Sequence, residues 1–144
     1  MSSAEKPFAD DHEIYRGEIP SQLAAREGLI EVVISRLEAA GCKVDRFFDR
    51  LCLDEAITNA IVHGNHQDPT KKVRVRVFCS SHRWGFEVVD EGAGFDWKPA
   101  LERAGRVSDS TASSGRGLAL ILASGAEVTF LDGGSRIIVQ KKHA

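Results

Sequence analysis

A chain of 144 residues, 42% of them hydrophobic and 28% charged, is long enough for one domain with a substantial core. Acidic and basic residues are interspersed and sum to a formal net charge of −2, which argues against a polyanion-binding surface because such surfaces need clustered Lys and Arg. We therefore expect a single domain over residues 13–144, after a disordered segment over 1–12, with no direct contact to nucleic acid.

The spacing of the cysteines and the hydropathy of the chain indicate in which cellular compartment the protein is expected. The three cysteines, Cys42, Cys52 and Cys79, are far apart and form no CxxC pair, so their spacing indicates neither a disulfide framework nor a zinc ribbon. No stretch has the form of a signal peptide or the roughly 18 apolar residues of a membrane span. These features predict a soluble protein of the reducing cytoplasm, without membrane contact.

The predicted elements are strands and helices that mostly follow one another in pairs of the same type. In chain order they are a strand over 15–20, helices over 22–40 and 46–63, strands over 73–81 and 84–91, a short helix over 99–104, a helix that starts at 115–117, and strands over 126–132 and 135–142. Ser21 and Asp45 are the expected N-caps of the first two helices, and Gly41 and Gly64 the expected ends. Hairpin-linked strands with grouped helices indicate an α+β two-layer sandwich: a mixed, mostly antiparallel sheet with helices on one face.

One basic run could suggest an anionic partner. In KKVRVR, residues 71–76, the cations Lys72, Arg74 and Arg76 alternate with valines. This period of two predicts a strand with its valines in the core and its cations outward, so we favour an ordinary strand over a polyanion site.

The second predicted helix carries polar residues at four-residue steps. In LDEAITNAIVHGN, residues 53–65, four residues advance about 40° past a full turn, so Glu55, Asn59 and His63 share one side. A carboxylate beside a carboxamide and an imidazole is suited to chemistry, although a solvated helix face explains the pattern equally well.

Two glycine-bearing segments follow. In DEGAG, residues 90–94, a strand ends in an acid and two glycines, so a flat ligand could lie against the backbone while Asp90 accepts its hydrogen bonds. In SSGRG, residues 113–117, the free N–H groups at a helix start could bind phosphate. Each segment alone also fits an ordinary turn or cap, but with the helix residues they supply the parts of a nucleotide site.

The motifs Glu55-x3-Asn59, Asp90-x-Gly92-x-Gly94 and Gly115-x-Gly117 resemble the three sequence boxes of the Bergerat-fold (GHKL) ATP-binding domains. Within that fold, DEAITNAIVHGN, DEGAGFD and SGRGLALILASGAEV are most similar to the anti-sigma-factor serine/threonine kinases of the RsbW and SpoIIAB type. The resemblance extends over about residues 12–142.

The resemblance implies roles for single residues. Glu55 would be the general base, Asn59 would bind the Mg²⁺ that bridges the ATP phosphates, and Asp90 would read the adenine amino group. The further ATP contacts it implies are His63, Gly92, Gly94, Gly115, Arg116 and Gly117, with residues 95–114 as an ATP lid. A zinc interpretation of His63 and His66 is disfavoured, because two ligands are in sight where structural zinc needs four.

The implied function is that of an ATP- and Mg²⁺-dependent serine/threonine kinase in bacterial transcription regulation. Such a protein would bind a sigma factor, phosphorylate a STAS-type anti-anti-sigma protein and form a homodimer. Two alternatives stay open: a nucleotide-gated protein-binding module, and a histidine-kinase-like ATPase domain with little or no kinase activity.

Overall fold

The computed structural model describes residues 12–94, 99, 102, 116–123 and 125–142. Its elements are β1 (His12–Pro20), a 3-10 turn (Leu23–Ala25), α1 (Arg26–Ala39), α2 (Phe48–Asn59) with a π turn (Ala60–Gly64), β2 (Lys72–Cys79), β3 (Arg83–Val89), α3 (Arg116–Ala123), β4 (Glu127–Leu131), a 3-10 turn (Asp132–Gly134) and β5 (Arg136–Lys142). The first strand begins three residues earlier than predicted. Of the short helix predicted over 99–104, Pro99 and Glu102 are helical, and the rest lies outside the described residues.

The five strands form one sheet in the order β1-β2-β3-β5-β4. Every neighbouring pair among them is antiparallel. Alternate residues of β2 and β3 are buried with residues of all three helices in one core: Val73, Val75, Val77, Phe86 and Val88. Lys72 and Arg74 are exposed, as the alternation of the basic run predicts. The predicted α+β sandwich is therefore confirmed.

Of the four predicted helix boundaries, three are confirmed and one is wrong; the confirmed ones include Gly64, where the π turn after α2 ends. Asp45 Oδ1 accepts the N–H groups of Phe47 and Phe48, both at 3.0 Å, and Gly41 leaves α1 with φ +82°. Ser21 does not cap a helix: it is fully buried, and its hydroxyl donates to the Lys71 carbonyl at 2.8 Å. It was misassigned because a tertiary contact 50 residues away engages the hydroxyl that a local cap would have used.

The cysteine expectation needs a correction as well. Cys42, just after α1, and Cys79, at the end of β2, form a disulfide with a Cα–Cα distance of 6.5 Å across 37 residues. Packing of the helices on the sheet brings the two residues together, and their spacing in the sequence carries no trace of this. Cys52 is buried in the core. Within the described residues, no helix is long and apolar enough to cross a membrane.

Candidate functional site

Helix α2 presents the first two candidate residues. Its buried side contains Leu53, Ala56 and Ile57, all 0% exposed, whereas Glu55 and Asn59 are partly buried. His63 is exposed and lies in the π turn that continues the helix. Glu55 and Asn59 thus border the core one helical turn apart, at the edge where a ligand could reach both.

The π turn brings the end of this helix to β3. The Asn65 N–H donates to the Ala60 carbonyl at 2.8 Å, a bond across five residues instead of the usual four. The turn places Gly64 beside the chain that leaves β3. A Cβ at Gly64 would overlap Asp90 Oδ2, and a Cβ at Gly92 would overlap the Gly64 carbonyl. Glycine is therefore needed at both positions for the two segments to approach this closely.

Hydrogen bonds orient Asp90 within this contact. Asp90 Oδ1 accepts the Gly92 N–H at 2.8 Å, and the Asp90 N–H donates to the Ser135 carbonyl at 2.9 Å. Gly94 has φ +90°, and a Cβ there would overlap the Gly133 carbonyl. The segment from Asp90 to Gly94 is thus held between the end of α2 and the connection from β4 to β5.

The surroundings of the Glu55 carboxylate make it suited to accept a proton. Burial raises the pKa of Glu55 above its ordinary value of 4.5, the neighbouring Asp54 carboxylate raises this pKa further, and Arg26 lowers it. Among the described residues, none hydrogen-bonds or ion-pairs with the Glu55 carboxylate or the Asn59 carboxamide. Both groups are therefore available to a ligand, and a carboxylate with a raised pKa is a stronger base than an exposed one.

The pKa of Asp90 is also raised. Burial is the largest cause, and the Gly92 N–H, Lys71 and His66 act in the opposite direction. A partly buried carboxylate with one oxygen already oriented is a specific acceptor for N–H groups of a ligand.

The carboxamide of Asn59 suits Mg²⁺, because this ion prefers oxygen ligands and usually takes few of them from protein when it is shared with substrate phosphates. The described residues contain no group of three or more His, Cys, Asp or Glu side chains that could hold a metal without help. A metal at Asn59 would thus need oxygen ligands from the nucleotide and from water.

The phosphate-binding part of the prediction is only partly described. Arg116 and Gly117 form the start of α3, which packs against α2 and contributes the buried Leu118 and Ile121 to the core. Gly115 and, apart from Pro99 and Glu102, the predicted lid over 95–114 lie outside the described residues.

Two residues that the sequence analysis did not select support this site. Arg26, the first residue of α1, donates from Nη1 to Asp54 Oδ1 at 3.0 Å and to Thr58 Oγ1 at 2.6 Å, on either side of Glu55 in sequence. Asn65 is fully buried and joins three segments of the chain. Their side-chain contacts span 26 or more residues, apart from the bond between Asn65 and Lys72 and one from Arg26 to the Leu23 carbonyl, so local sequence patterns gave no signal for either residue.

A five-stranded antiparallel sheet packed with helices, and a helix whose end meets the turn at Asp90, are the architecture of an ATP-binding domain of the histidine kinase-like class. The chain matches the histidine kinase-like ATPase domain over residues 19–141 and belongs to that family. The resemblance found in the sequence is thereby confirmed.

Curated relatives are anti-sigma F factors. That of Anoxybacillus flavithermus is 31% identical over 101 residues, which cover 59% of this chain and 67% of the relative. That of Geobacillus kaustophilus is 32% identical over 109 residues, which cover 62% of this chain and 73% of the relative. The chain is thus similar to anti-sigma factors over most of its domain.

Proposed function

We propose that this protein is an ATP- and Mg²⁺-dependent serine/threonine kinase that acts as an anti-sigma factor in a partner-switching system. The observation that carries the proposal is the position of Glu55: its carboxylate has a raised pKa, is not engaged by the described residues and lies one helical turn from Asn59. A domain that only bound nucleotide would have no need of a base there.

In this proposal the nucleotide lies between α2 and the turn after β3. Asp90 accepts a hydrogen bond from the adenine amino group, and Gly92 and Gly94 keep the pocket open to the base. Asn59 would hold Mg²⁺, which would neutralise phosphate charge. The remaining contacts are assigned by resemblance to His63, Gly115, Arg116 and Gly117, with the segment 95–114 as a lid.

The transfer step needs one proton acceptor. As the hydroxyl oxygen of a partner Ser or Thr bonds to the γ-phosphorus of ATP, the bond from that phosphorus to the bridging oxygen breaks and ADP leaves. Glu55 takes the hydroxyl proton. Phosphoryl transfer depends mostly on position and charge neutralisation, so one carboxylate and a shared metal are sufficient protein chemistry.

The proposed partners follow from the anti-sigma F factors. We propose a sigma factor as the inhibited partner, a STAS-type anti-anti-sigma protein as the phosphoacceptor, a homodimer as the assembly and the cytoplasm as the location. The similarity to these relatives supports the class of partner, and the individual proteins have to be found by experiment.

Calorimetric titration with ATP, with and without Mg²⁺, tests the nucleotide site. We expect saturable binding that Mg²⁺ strengthens, and loss of the Mg²⁺ effect in Asn59→Ala. Absence of binding at millimolar ATP would refute the site.

Phosphotransfer to a STAS-type protein tests the activity. Glu55→Gln should keep ATP binding and lose transfer, while Glu127→Gln, an exposed carboxylate on β4, should keep both. Equal transfer by wild type and Glu55→Gln would remove the base assignment. ATP binding without transfer in the wild type would favour the nucleotide-gated binding module.

A further inference from the structure

We propose that Asn65 is a positioning residue of the adenine pocket, which holds the backbone at Asp90 and so sets the preference for adenine nucleotides. The inference rests on the proposed function, because it assumes that Asp90 reads the base. It goes beyond that function by assigning base selectivity to a residue that does not touch the nucleotide.

The contacts of Asn65 use both ends of its carboxamide. Nδ2 donates to Ser21 Oγ at 2.7 Å and to the Lys72 carbonyl at 3.0 Å, and Oδ1 accepts the Glu91 N–H at 2.7 Å. The side chain is 0% exposed. Asn65 thus ties the end of β1 and the start of β2 to the turn that follows β3.

The bond to Glu91 acts directly on Asp90. The Glu91 N–H belongs to the peptide unit that joins Asp90 to Glu91, and the Asp90 N–H on the other side of the same Cα is held by Ser135. With both flanking amides hydrogen-bonded, the Asp90 backbone is restrained, and from that backbone the bond of the Gly92 N–H to Oδ1 orients the carboxylate. Of these two restraints, Asn65 supplies the one from the helix side of the pocket.

The residue type fits this role. Asparagine offers two donors and an acceptor on a short side chain, and three of these capacities are used. Aspartate would lose the donors and bury a charge, and leucine would leave the Glu91 and Lys72 groups unsatisfied. A second link, from the Lys72 N–H to Glu91 Oε1 at 2.8 Å, supports the same turn but holds the Glu91 side chain instead of the peptide next to Asp90.

Ser21 provides a matched control. It is equally buried and bonds Asn65 Nδ2, but it has no bond to Glu91 among those the structure describes. Ser21→Ala therefore damages the same network at its far end, and any loss of general stability should be shared by Ser21→Ala and Asn65→Ala.

The experiment compares two probes, ATP and inosine triphosphate, which has a carbonyl group in place of the adenine amino group. Dissociation constants are measured for wild type, Asn65→Ala, Ser21→Ala and Asp90→Asn, each well below its melting temperature. The quantity of interest is the ratio of the two constants, because a uniform structural defect weakens both probes alike and leaves the ratio unchanged.

We expect the wild type to prefer ATP, Asn65→Ala to lose about tenfold of that preference through weaker ATP binding, and Ser21→Ala to keep the wild-type ratio. If Asn65→Ala does not fold, Asn65→Ser, which is too short to reach Glu91, should show the same loss.

The outcomes separate the two proposals. Suppose that the wild type prefers ATP. If the Asn65 variants then keep the wild-type ratio, or if Ser21→Ala loses the preference as much as they do, the positioning role is overturned and the kinase proposal stays intact. A wild type that binds neither probe, or binds both equally, overturns the adenine site and the inference with it.

Discussion

Asp90 and Gly64 are in direct contact: one oxygen of the Asp90 carboxylate fills the space that a Cβ would occupy at Gly64. The end of the helix that carries Glu55 and Asn59 and the acid after β3 are therefore fitted to each other. The geometry of the proposed base-reading carboxylate depends on the absence of a single methyl group.

Gly64→Ala should displace the Asp90 side chain and weaken ATP binding by tenfold or more, since a 1 Å displacement at a site can have effects of this order. Gly28→Ala in α1 is the matched control, because a Cβ there meets nothing within 4 Å. That variant should gain about 0.5–1 kcal/mol in unfolding free energy and keep its ATP affinity. Calorimetry and chemical denaturation measure both, and equal ATP affinities in the two variants would contradict the contact's role.

Glu55 should make stability depend on pH. Its folded-state pKa lies above the ordinary 4.5, so its stabilising contribution is complete below pH 4.5 and is lost as pH rises through the raised pKa. Glu55→Gln should therefore melt at a higher temperature than wild type at pH 7, with the difference vanishing near pH 4.

The pKa shift of Asp68 should have the opposite effect on stability at pH 7. Hydrogen bonds from Thr70 lower the pKa of Asp68, so Asp68→Ala should melt lower than wild type at pH 7, by a small amount because the residue is only partly buried. A Glu55→Gln melting difference that is constant from pH 4 to pH 7 would contradict the account of Glu55.

Arg26 should affect the pKa of Glu55, the proposed general base. Because Arg26 lowers the pKa of Glu55, Arg26→Gln should raise that pKa and move the acid limb of the pH dependence of kcat/KM for phosphotransfer to higher pH. Arg50 also joins α1 to α2, through Glu27 and Glu31, and is the matched control. Arg50→Gln should leave the limb in place, whereas a parallel shift in both variants would indicate a general loosening of the helices.

The disulfide between Cys42 and Cys79 should stabilise the fold. Closing a loop of 37 residues lowers the entropy of the unfolded chain and corresponds to about 4 kcal/mol of unfolding free energy. A reductant should lower the unfolding free energy of wild type and of Cys52→Ala by this amount, but not that of Cys42→Ser. Chemical denaturation with and without the reductant measures the difference. In denaturant the oxidised protein should present one reactive thiol, and the reduced protein all three of its cysteines; three thiols without reductant would refute the pairing.

Local patterns predicted much of this fold. The alternation in KKVRVR, the spacing of Glu55 and Asn59 and the cap at Asp45 each depend on residues within a turn or a strand of one another, and a linear sequence records such relations. The restraints on the candidate site are of another kind. Arg26 reaches Asp54 across 28 residues and Asn65 reaches Ser21 across 44, so they emerge only after the helices pack on the sheet.

The same limit explains the two errors. Ser21 has the residue type and position of a cap, and Cys42 and Cys79 have no spacing that marks a disulfide. In both cases the deciding partner is distant in sequence. A hydroxyl or a thiol can satisfy several environments, so composition and spacing alone do not select among them.

The strand order has a mechanical consequence. In the described part of the sheet, the first three strands meet the last two where β3 pairs with β5, and Asp90 leaves β3 at this seam with its N–H on Ser135, the residue before β5. A nucleotide held by Asp90 would sit across the boundary between the amino-terminal and carboxy-terminal halves of the chain. Nucleotide binding would then stabilise the packing of these two halves against each other. The stability of their junction would increase with the occupancy of the nucleotide site.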